Sequence, residues 1–92
     1  MVVIMYYIAV YDIGEKRVVK MLKLMRQYLH WIQNSVFEGE LTKAQMAELK
    51  SNAKKIMKKE EDSLIIFSMQ SDKYLKKVII GLDKSDLTSN II

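Results

Sequence analysis

Two segments of this chain carry apolar side chains at successive positions, and they constrain the fold more than any other feature. Residues 2–11 and residues 63–70 are rich in β-branched and aromatic residues, without the regular polar alternation of a half-solvated strand. Each segment therefore predicts a strand that is buried on both faces. A chain of 92 residues forms one domain with a single core, so few elements are left to cover both faces of this sheet.

The helical segments lie between these strands. In residues 15–29 apolar side chains recur at i, i+4, i+7 and i+11, which predicts an amphipathic helix of about four turns. Thr42 and Gln45 have the spacing of a capping box, so a second helix is predicted from Lys43 to about Lys58. The inward faces predicted for the two helices are Val18, Leu22, Met25 and Leu29, and Met46, Leu49, Ala53 and Ile56.

The remaining segments complete the predicted sheet. Residues 30–41 form either one long strand or two short ones broken near Asn34, residues 60–62 form a polar turn, and residues 77–80 form a last strand. This order predicts a β-α-β-β-α-β unit, the ferredoxin-like α+β sandwich, over residues 1–81. Two helices cover only one face of such a sheet. We therefore expect a second copy to cover the other face, in a sheet-to-sheet homodimer.

Composition excludes several kinds of site. The chain contains no cysteine, which excludes disulfides, cysteine-ligated zinc and thiol nucleophiles, and its one histidine excludes a metal site built from several imidazoles of one chain. The three glycines are isolated, so no glycine-rich phosphate loop is present. The apolar first segment is about half as long as a membrane-spanning helix and lacks the features of an export signal. We therefore expect a cytoplasmic protein that does not contact a membrane.

The basic residues are concentrated in the two predicted helices. The formal net charge is +4, and eleven of the fifteen lysines and arginines lie in or beside these helices, against two glutamates. A solvated helix face normally carries both positive and negative side chains, whereas acidic residues are nearly absent from these helices. The pattern therefore favours contact with the phosphate backbone of DNA or RNA about as strongly as it favours a solvated surface. Phosphate contacts carry no base-sequence preference. The residues that we predict to bind nucleic acid are Arg17, Lys20, Lys50, Lys54 and Lys58.

Asp12 is an acidic residue at a position that suggests a specific role, because it ends the first apolar strand and closely precedes Gly14. An aspartate at such a position is typical of a turn or a helix cap. A carboxylate is also a ligand that Mg²⁺ prefers, and two copies of Asp12 facing each other across a dimer axis would form a paired site. From the residues alone, both interpretations stay open.

Other polar and aromatic side chains give weaker signals. His30 could act as a general acid or base, but a lone histidine at a strand edge is more often structural. Ser35 has no histidine and acid at interpretable positions for a catalytic triad. Four aromatic residues in the predicted strands could stack on bases, although these positions favour the core or the dimer interface. They are Tyr6, Tyr7, Tyr11 and Trp31.

Three short runs of the sequence resemble a known family. They are Ile8-Ala9-Val10-Tyr11-Asp12-Ile13, Gln33-Asn34-Ser35-Val36-Phe37-Glu38-Gly39-Glu40-Leu41-Thr42 and Glu60-Glu61-Asp62-Ser63. In these runs, and above all in the Ser-Val-Phe-Glu-Gly-Glu-Leu segment, the chain is similar to CRISPR-associated protein two, the small dimeric partner of the integrase in spacer acquisition. The similarity extends from the first strand to about Gly81. Trp31 departs from the family pattern, since many members carry a basic residue there.

The resemblance implies an assembly as well as a fold. It implies a ferredoxin-like homodimer in which a C-terminal strand of each protomer adds to the partner's sheet. Either Val78-Ile79-Ile80 or Ile91-Ile92 would supply this strand. On this basis residues 82–92 are expected to form a tail that contacts the partner protomer, and the integrase subunit is expected as a further partner.

The resemblance also implies an activity. Members are described as Mg²⁺-dependent endonucleases that act on RNA or double-stranded DNA, and the aspartate that matches Asp12 holds the metal and is catalytic. Tyr11, Arg17 and Phe37 match positions near the family's proposed active site. Other members act as a non-catalytic scaffold that holds DNA between integrase dimers. A small-ligand regulatory domain of the same fold is disfavoured, because the chain has no glycine-rich or polar pocket motif.

Overall fold

The structure is a computed structural model that describes residues 3–69 and 75–82, and the side chains of residues 75–77 are outside this description. Its elements are β1 (Ile4–Asp12), α1 (Val18–Arg26), β2 (His30–Gln33), β3 (Val36–Thr42), α2 (Lys43–Ile56), β4 (Ser63–Met69) and β5 (Leu75–Gly81). All neighbouring strands pair antiparallel in the order β2-β3-β1-β4-β5. The ferredoxin-like α+β prediction is confirmed, and β5 extends the sheet beyond β4. No helix among the described residues is long and apolar enough to cross a membrane.

The segment between the two helices forms a hairpin of two short strands, β2 and β3, and not one long strand. Asn34 sits in the turn with a φ of 45°, a left-handed conformation that asparagine tolerates better than most residues. The short β2 is an edge strand of the sheet and is exposed along its whole length. The hairpin therefore places polar and aromatic side chains at a solvent-facing edge.

The two helices differ in how well the sequence predicted them. α2 begins at Lys43 as expected, and both hydrogen bonds of its capping box are present. The Gln45 N–H donates to the Thr42 hydroxyl at 3.0 Å, and the Thr42 N–H donates to the Gln45 side-chain Oε1 at 2.9 Å. α1 begins later than predicted, at Val18, since Gly14 and Arg17 form a hydrogen-bonded turn before it. Both helices also end earlier than predicted.

The sheet has one face covered by the helices and one that they do not reach. The helix-covered face holds the main core, which includes the fully buried Met21, Met25, Phe37, Leu49 and Leu64. Leu24 was not among the predicted inward residues, yet it is buried with Met21 and Met25.

The opposite face carries a second apolar cluster, to which no residue of α1 or α2 belongs. Its centre consists of Val10, Val36, Ile65 and Phe67. These four side chains are already buried within the single chain, whereas Ile4 at the rim is 55% exposed. The expectation that only a second copy would bury this face is therefore wrong for its centre, and the homodimer stays a prediction.

The C-terminal strand is paired within its own chain. β5 runs antiparallel to β4, with Ile79 opposite Ile65 and Ile80 opposite Leu64. Residues 78–80 thus pair with β4 in the single chain, and exchange of this strand with a partner protomer stays a prediction. The other candidate for strand exchange, Ile91-Ile92, and all residues from 83 onward lie outside the described residues.

Candidate functional site

Asp12 is the last residue of β1 and lies directly opposite Ser63, the first residue of β4. Directly opposed residues of an antiparallel pair project to the same face of the sheet, so both side chains lie on the face that the helices do not cover. Val10, two residues earlier on β1, belongs to the apolar cluster of that face. The Ser63 hydroxyl is buried and has no hydrogen-bond partner in the part of the chain that the structure describes.

This pair is chemically suited to a hard cation, although it is a minimal site. Mg²⁺ is bound in proteins by one or two carboxylates, with water and substrate phosphates completing its octahedral shell. Asp12 offers one carboxylate, and the unsatisfied Ser63 hydroxyl offers a second oxygen at the same strand end. Within residues 3–69 and 75–82 no group of three or more His, Cys, Asp or Glu residues could hold a metal. In one chain this strand end therefore offers one carboxylate and one hydroxyl, which is fewer ligands than a metal ion takes from protein, water and substrate together.

Asp62, one residue before Ser63, is the site residue that the sequence analysis missed. It was assigned to a polar turn, but its side chain is 0% exposed. Arg17 donates to both carboxylate oxygens, from Nε at 2.7 Å and from Nη2 at 2.9 Å. The backbone N–H groups of Gly14 and Lys58 donate to the same carboxylate at 2.9 and 2.8 Å. We call this arrangement the Asp62 hub; it ties the loop after β1 to the end of α2.

The electrostatics of the hub explain why an ion pair is stable at this position. The Arg17 guanidinium holds the pKa of Asp62 well below its usual range, and the two backbone N–H donors add to this effect against the opposing effect of burial. The same hydrogen bond raises the pKa of Arg17. Glu61 adds a second ion pair to the guanidinium at 2.9 Å. The carboxylate of Asp62 is therefore ionised and saturated with donors at neutral pH.

Arg17 was predicted to bind nucleic acid, and the structure places it in this hub. Its side chain is only 14% exposed, and its Nε and Nη2 donors contact the acidic residues 61 and 62. An arginine held in this way acts mainly on the conformation of the loop that follows Asp12. The structure thus engages the Arg17 guanidinium with Asp62 and Glu61, and contact of Arg17 with nucleic acid stays a prediction.

The hub extends to the end of β5. The backbone carbonyl of Asp62 accepts a hydrogen bond from the Leu82 N–H at 3.0 Å. Gly81, just before Leu82, has a φ of +90°, and a Cβ there would lie 2.0 Å from the Asp62 carbonyl oxygen. Only glycine fits at this close approach. Two sequence features together could have revealed the hub. Asp62 directly precedes the buried strand β4, and the isolated Gly81 ends the next strand, β5.

Tyr11 and Phe37, the two residues predicted to lie near the site, belong to the core. Their rings stack with centroids 6.0 Å apart and planes inclined by 20°. Tyr11 precedes Asp12 on the strand, so it projects to the opposite, helix-covered face. Burial raises the pKa of the Tyr11 hydroxyl. Both rings therefore support the end of β1 from beneath and do not lie beside the Asp12 carboxylate.

The predicted lysines are separated by the fold. Lys50 and Lys54 line a groove of about 510 Å³ between α2 and the sheet, together with Lys43. We call this the lysine groove; its remaining lining residues are Met5, Tyr7, Met46, Ala47, Ser51 and Ser68. Lys58 lies beyond the end of α2, and Lys20 lies on α1, and both are exposed and outside the groove. The lysine groove contains no acidic residue, so it presents a positive surface to an anion.

Comparison with known proteins connects this geometry to a family. Residues 5–77 match the family described as CRISPR associated protein Cas2. The chain is 44% identical to the CRISPR-associated endoribonuclease Cas2 of Methanothermobacter thermautotrophicus, over 95% of this chain and 96% of that protein. It is 47% identical to the protein of the same name from Methanosarcina acetivorans, over 96% of this chain and 100% of that protein.

Solved structures show the same relationship in three dimensions. A structure described as a crystal structure of Cas2 is similar with a TM-score of 0.71 and 46% identity, over 89% of this chain and 92% of that one. A hypothetical protein from Thermus thermophilus, TT1823, gives a TM-score of 0.70 at 27% identity, over 83% of this chain and 94% of that one. The fold defines a small ferredoxin-like α+β protein. The chain belongs to the CRISPR associated protein Cas2 family, which confirms the resemblance found in the sequence.

Proposed function

We propose that this protein is a Mg²⁺-dependent endonuclease that acts as a homodimer in CRISPR spacer acquisition, on RNA or on double-stranded DNA. The observation that carries the proposal is the position of Asp12 directly opposite Ser63, whose buried hydroxyl has no hydrogen-bond partner among residues 3–69 and 75–82. The names of the relatives, CRISPR-associated endoribonuclease Cas2, support a nuclease and favour RNA as the substrate.

The residues of this chain have distinct roles in the proposed reaction. Asp12 and Ser63 would hold Mg²⁺, which when bound polarises the phosphoryl group and lowers the pKa of a water molecule. The Asp62 hub restrains the loop after β1 through Arg17 and Gly14, which limits the motion of Asp12. Exposed lysines would hold the phosphate backbone without regard to sequence.

A homodimer is proposed because it would complete the site. A single chain supplies one carboxylate at the end of β1, and a two-fold axis near this strand end would bring two copies of Asp12 together. The apolar cluster of Val10, Val36, Ile65 and Phe67 lies on the same face as Asp12, and none of its members belongs to a helix. Two such faces, packed against each other, would bury the exposed rim residue Ile4.

The test is a cleavage assay in which Mg²⁺ is titrated, with RNA and duplex DNA as separate substrates. Asp12→Asn keeps the shape of the side chain but removes the charge that holds a hard cation, so we expect cleavage to fall by orders of magnitude. Glu15→Gln is the matched control, since it removes an exposed carboxylate three residues away and should leave the rate unchanged. Sedimentation of all three proteins at micromolar concentration checks the dimer.

Two results would contradict this proposal. Equal cleavage by Asp12→Asn and the unmodified protein would place the activity elsewhere or in a contaminant. A monomer with full metal-dependent activity would remove the paired site while leaving a single-chain nuclease.

The lysine groove supports a second candidate function, a non-catalytic scaffold that binds duplex DNA for the integrase subunit. Three lysines share one groove without an acidic partner among its lining residues. Lysine contacts to phosphates release counterions, so log affinity should fall linearly with log salt concentration, with a slope of about 0.9 per contact. Replacing Lys43, Lys50 and Lys54 by Gln should flatten this slope.

The matched control for the scaffold test is the exchange of three exposed lysines outside the groove, Lys16, Lys23 and Lys55, for Gln. It removes the same charge, so a slope that changes equally in both triple variants indicates a general charge effect and contradicts a specific role for the groove. Duplex binding without cleavage, in the presence of Mg²⁺, would favour the scaffold over the nuclease.

A further inference from the structure

A second groove lies between α1 and the β2–β3 hairpin. We call it the tryptophan groove; it has a volume of about 460 Å³, within the range of small-ligand sites. Its lining residues are Tyr11, Val18, Val19, Leu22, Arg26, Trp31, Asn34 and Ser35. None of these carries a carboxylate. Neither the family comparison nor the proposed nuclease site assigns it a role.

Trp31 gives this groove an open aromatic surface. Trp31 is 55% exposed, whereas Tyr7 and Tyr11 are buried in the core. The indole Nε1–H donates to the backbone carbonyl of Asn34 at 2.9 Å. This hydrogen bond restrains the ring on the edge strand β2, so a flat π-surface is held in place before any ligand arrives. A restrained aromatic ring loses little conformational entropy when a ligand stacks on it.

The groove also has the polar groups that a nucleotide requires. Arg26 lies in the last turn of α1 and is exposed. The half-buried Ser35 and the exposed Asn34 line the groove beside Trp31. A base stacked on the indole would therefore have a cation near its phosphate and hydrogen-bonding groups near its edge. An apolar protein segment would use the aliphatic residues of the groove but would have no use for the arginine.

We propose that the tryptophan groove binds an unpaired base of single-stranded nucleic acid, with the base stacked on Trp31 and the adjacent phosphate paired with Arg26. The proposal rests on the proposed function only in taking nucleic acid as the ligand, and it does not depend on cleavage. A base inside an intact duplex is stacked on its neighbours, so the groove selects strands with unpaired bases. It shares no lining residue with the lysine groove, so the two surfaces are separate.

The chain contains one tryptophan, so its intrinsic fluorescence reports on this groove alone. The probes are a single-stranded oligouridylate and oligothymidylate of twelve nucleotides, and a duplex of equal length, each titrated into the Asp12→Asn protein to prevent cleavage. We expect saturable quenching by the single strands and little quenching by the duplex. Trp31→Ala should weaken single-strand binding about tenfold or more, as measured by anisotropy of a labelled strand. Trp31→Phe should restore most of the affinity.

Arg26→Gln is expected to weaken single-strand binding, and Lys23→Gln, which removes one exposed charge from the same last turn of α1, should have a smaller effect. Single-strand binding without quenching, or unchanged in Trp31→Ala, would overturn the inference and leave the proposed nuclease intact. A Trp31→Ala variant that loses binding to the integrase subunit but keeps its oligonucleotide affinity would also overturn it, in favour of a protein-docking surface. Loss of cleavage in Asp12→Asn with quenching retained would support both proposals separately.

Discussion

Two aspartates at the same end of the sheet have opposite environments. Asp62 is fully buried and accepts hydrogen bonds from Arg17, Gly14 and Lys58. Asp12 is half-buried and lies opposite Ser63, and it is the Ser63 hydroxyl that has no hydrogen-bond partner among the described residues. A carboxylate that is already saturated with donors stabilises the fold, whereas one placed beside an unsatisfied oxygen is suited to bind a cation. The comparison therefore identifies Asp62 as a structural residue and Asp12 as a candidate catalytic residue, although both lie at the same end of β1 and β4.

Exchanging Asp62 should produce the largest change in stability. Asp62→Asn removes the charge that Arg17 contacts and leaves one amide oxygen for four N–H donors. We expect the free energy of unfolding to fall by about 3 kcal/mol, at the lower end of the cost of breaking a buried ion pair because Arg17 reaches solvent. For a domain of this size, Tm should fall by roughly 10 °C or more. Chemical and thermal denaturation measure both quantities.

The matched control for this exchange is Glu61→Gln, which removes the neighbouring, exposed carboxylate of the same arginine. Exposed ion pairs contribute about 0–1 kcal/mol, so its effect should be small. If Asp62→Asn and Glu61→Gln destabilise the protein equally, burial is not what makes the Asp62 hub strong.

Acid should reveal the same difference in an unmodified chain. The pKa of Asp62 is lowered on folding, so its contribution to stability is fully present above its usual value near 3.8 and is lost as the pH falls towards the folded-state value. The free energy of unfolding should therefore decline below about pH 4. In Asp62→Asn this component of the decline should be absent. A decline of equal size in the variant would assign acid sensitivity to other carboxylates.

The smallest expected effect concerns Asp12. If Asp12 binds Mg²⁺, the ion should stabilise the folded protein by about 1.4 kcal/mol at a tenfold excess over its Kd. Asp12→Asn should abolish this stabilisation, and Ser63→Ala should weaken it. Thermal denaturation with Mg²⁺ and with a chelator measures the difference. A Tm that rises equally with Mg²⁺ in all three proteins indicates non-specific ion effects.

Local patterns predicted the parts of this structure that depend on neighbours in sequence. The doubly apolar β1 and β4 and the Thr42 capping box were all found from short windows. Asp12 was singled out because it ends such a strand, and the resemblance gave it a role. The Asp62 hub was missed because Arg17 is 45 positions away from Asp62, so a polar turn and a helical arginine gave no sign of contact.

Trp31 shows a second limit of sequence reasoning. Its place in an extended segment favoured the core, but β2 is an edge strand, and the turn at Asn34 determines which side of that edge the indole occupies. Exposure at an edge depends on the order of strands in the sheet, which is a property of the whole chain. The same applies to the lysines, since helix periodicity places them on faces but does not say which of them share a groove with the sheet.

Thr42 is both the last residue of β3 and the cap of α2, so no loop separates the strand from the helix. The direction in which α2 leaves the sheet, and the angular position of every side chain around its axis, are therefore coupled to the strand. Since each residue of an α-helix advances by about 100°, one residue inserted at this junction would turn Lys43, Lys50 and Lys54 away from their present side of the helix. The positions of these lysines around the helix axis are thus fixed by the pairing register of β3. A register error in β3 would move the positive charges to a different side of α2.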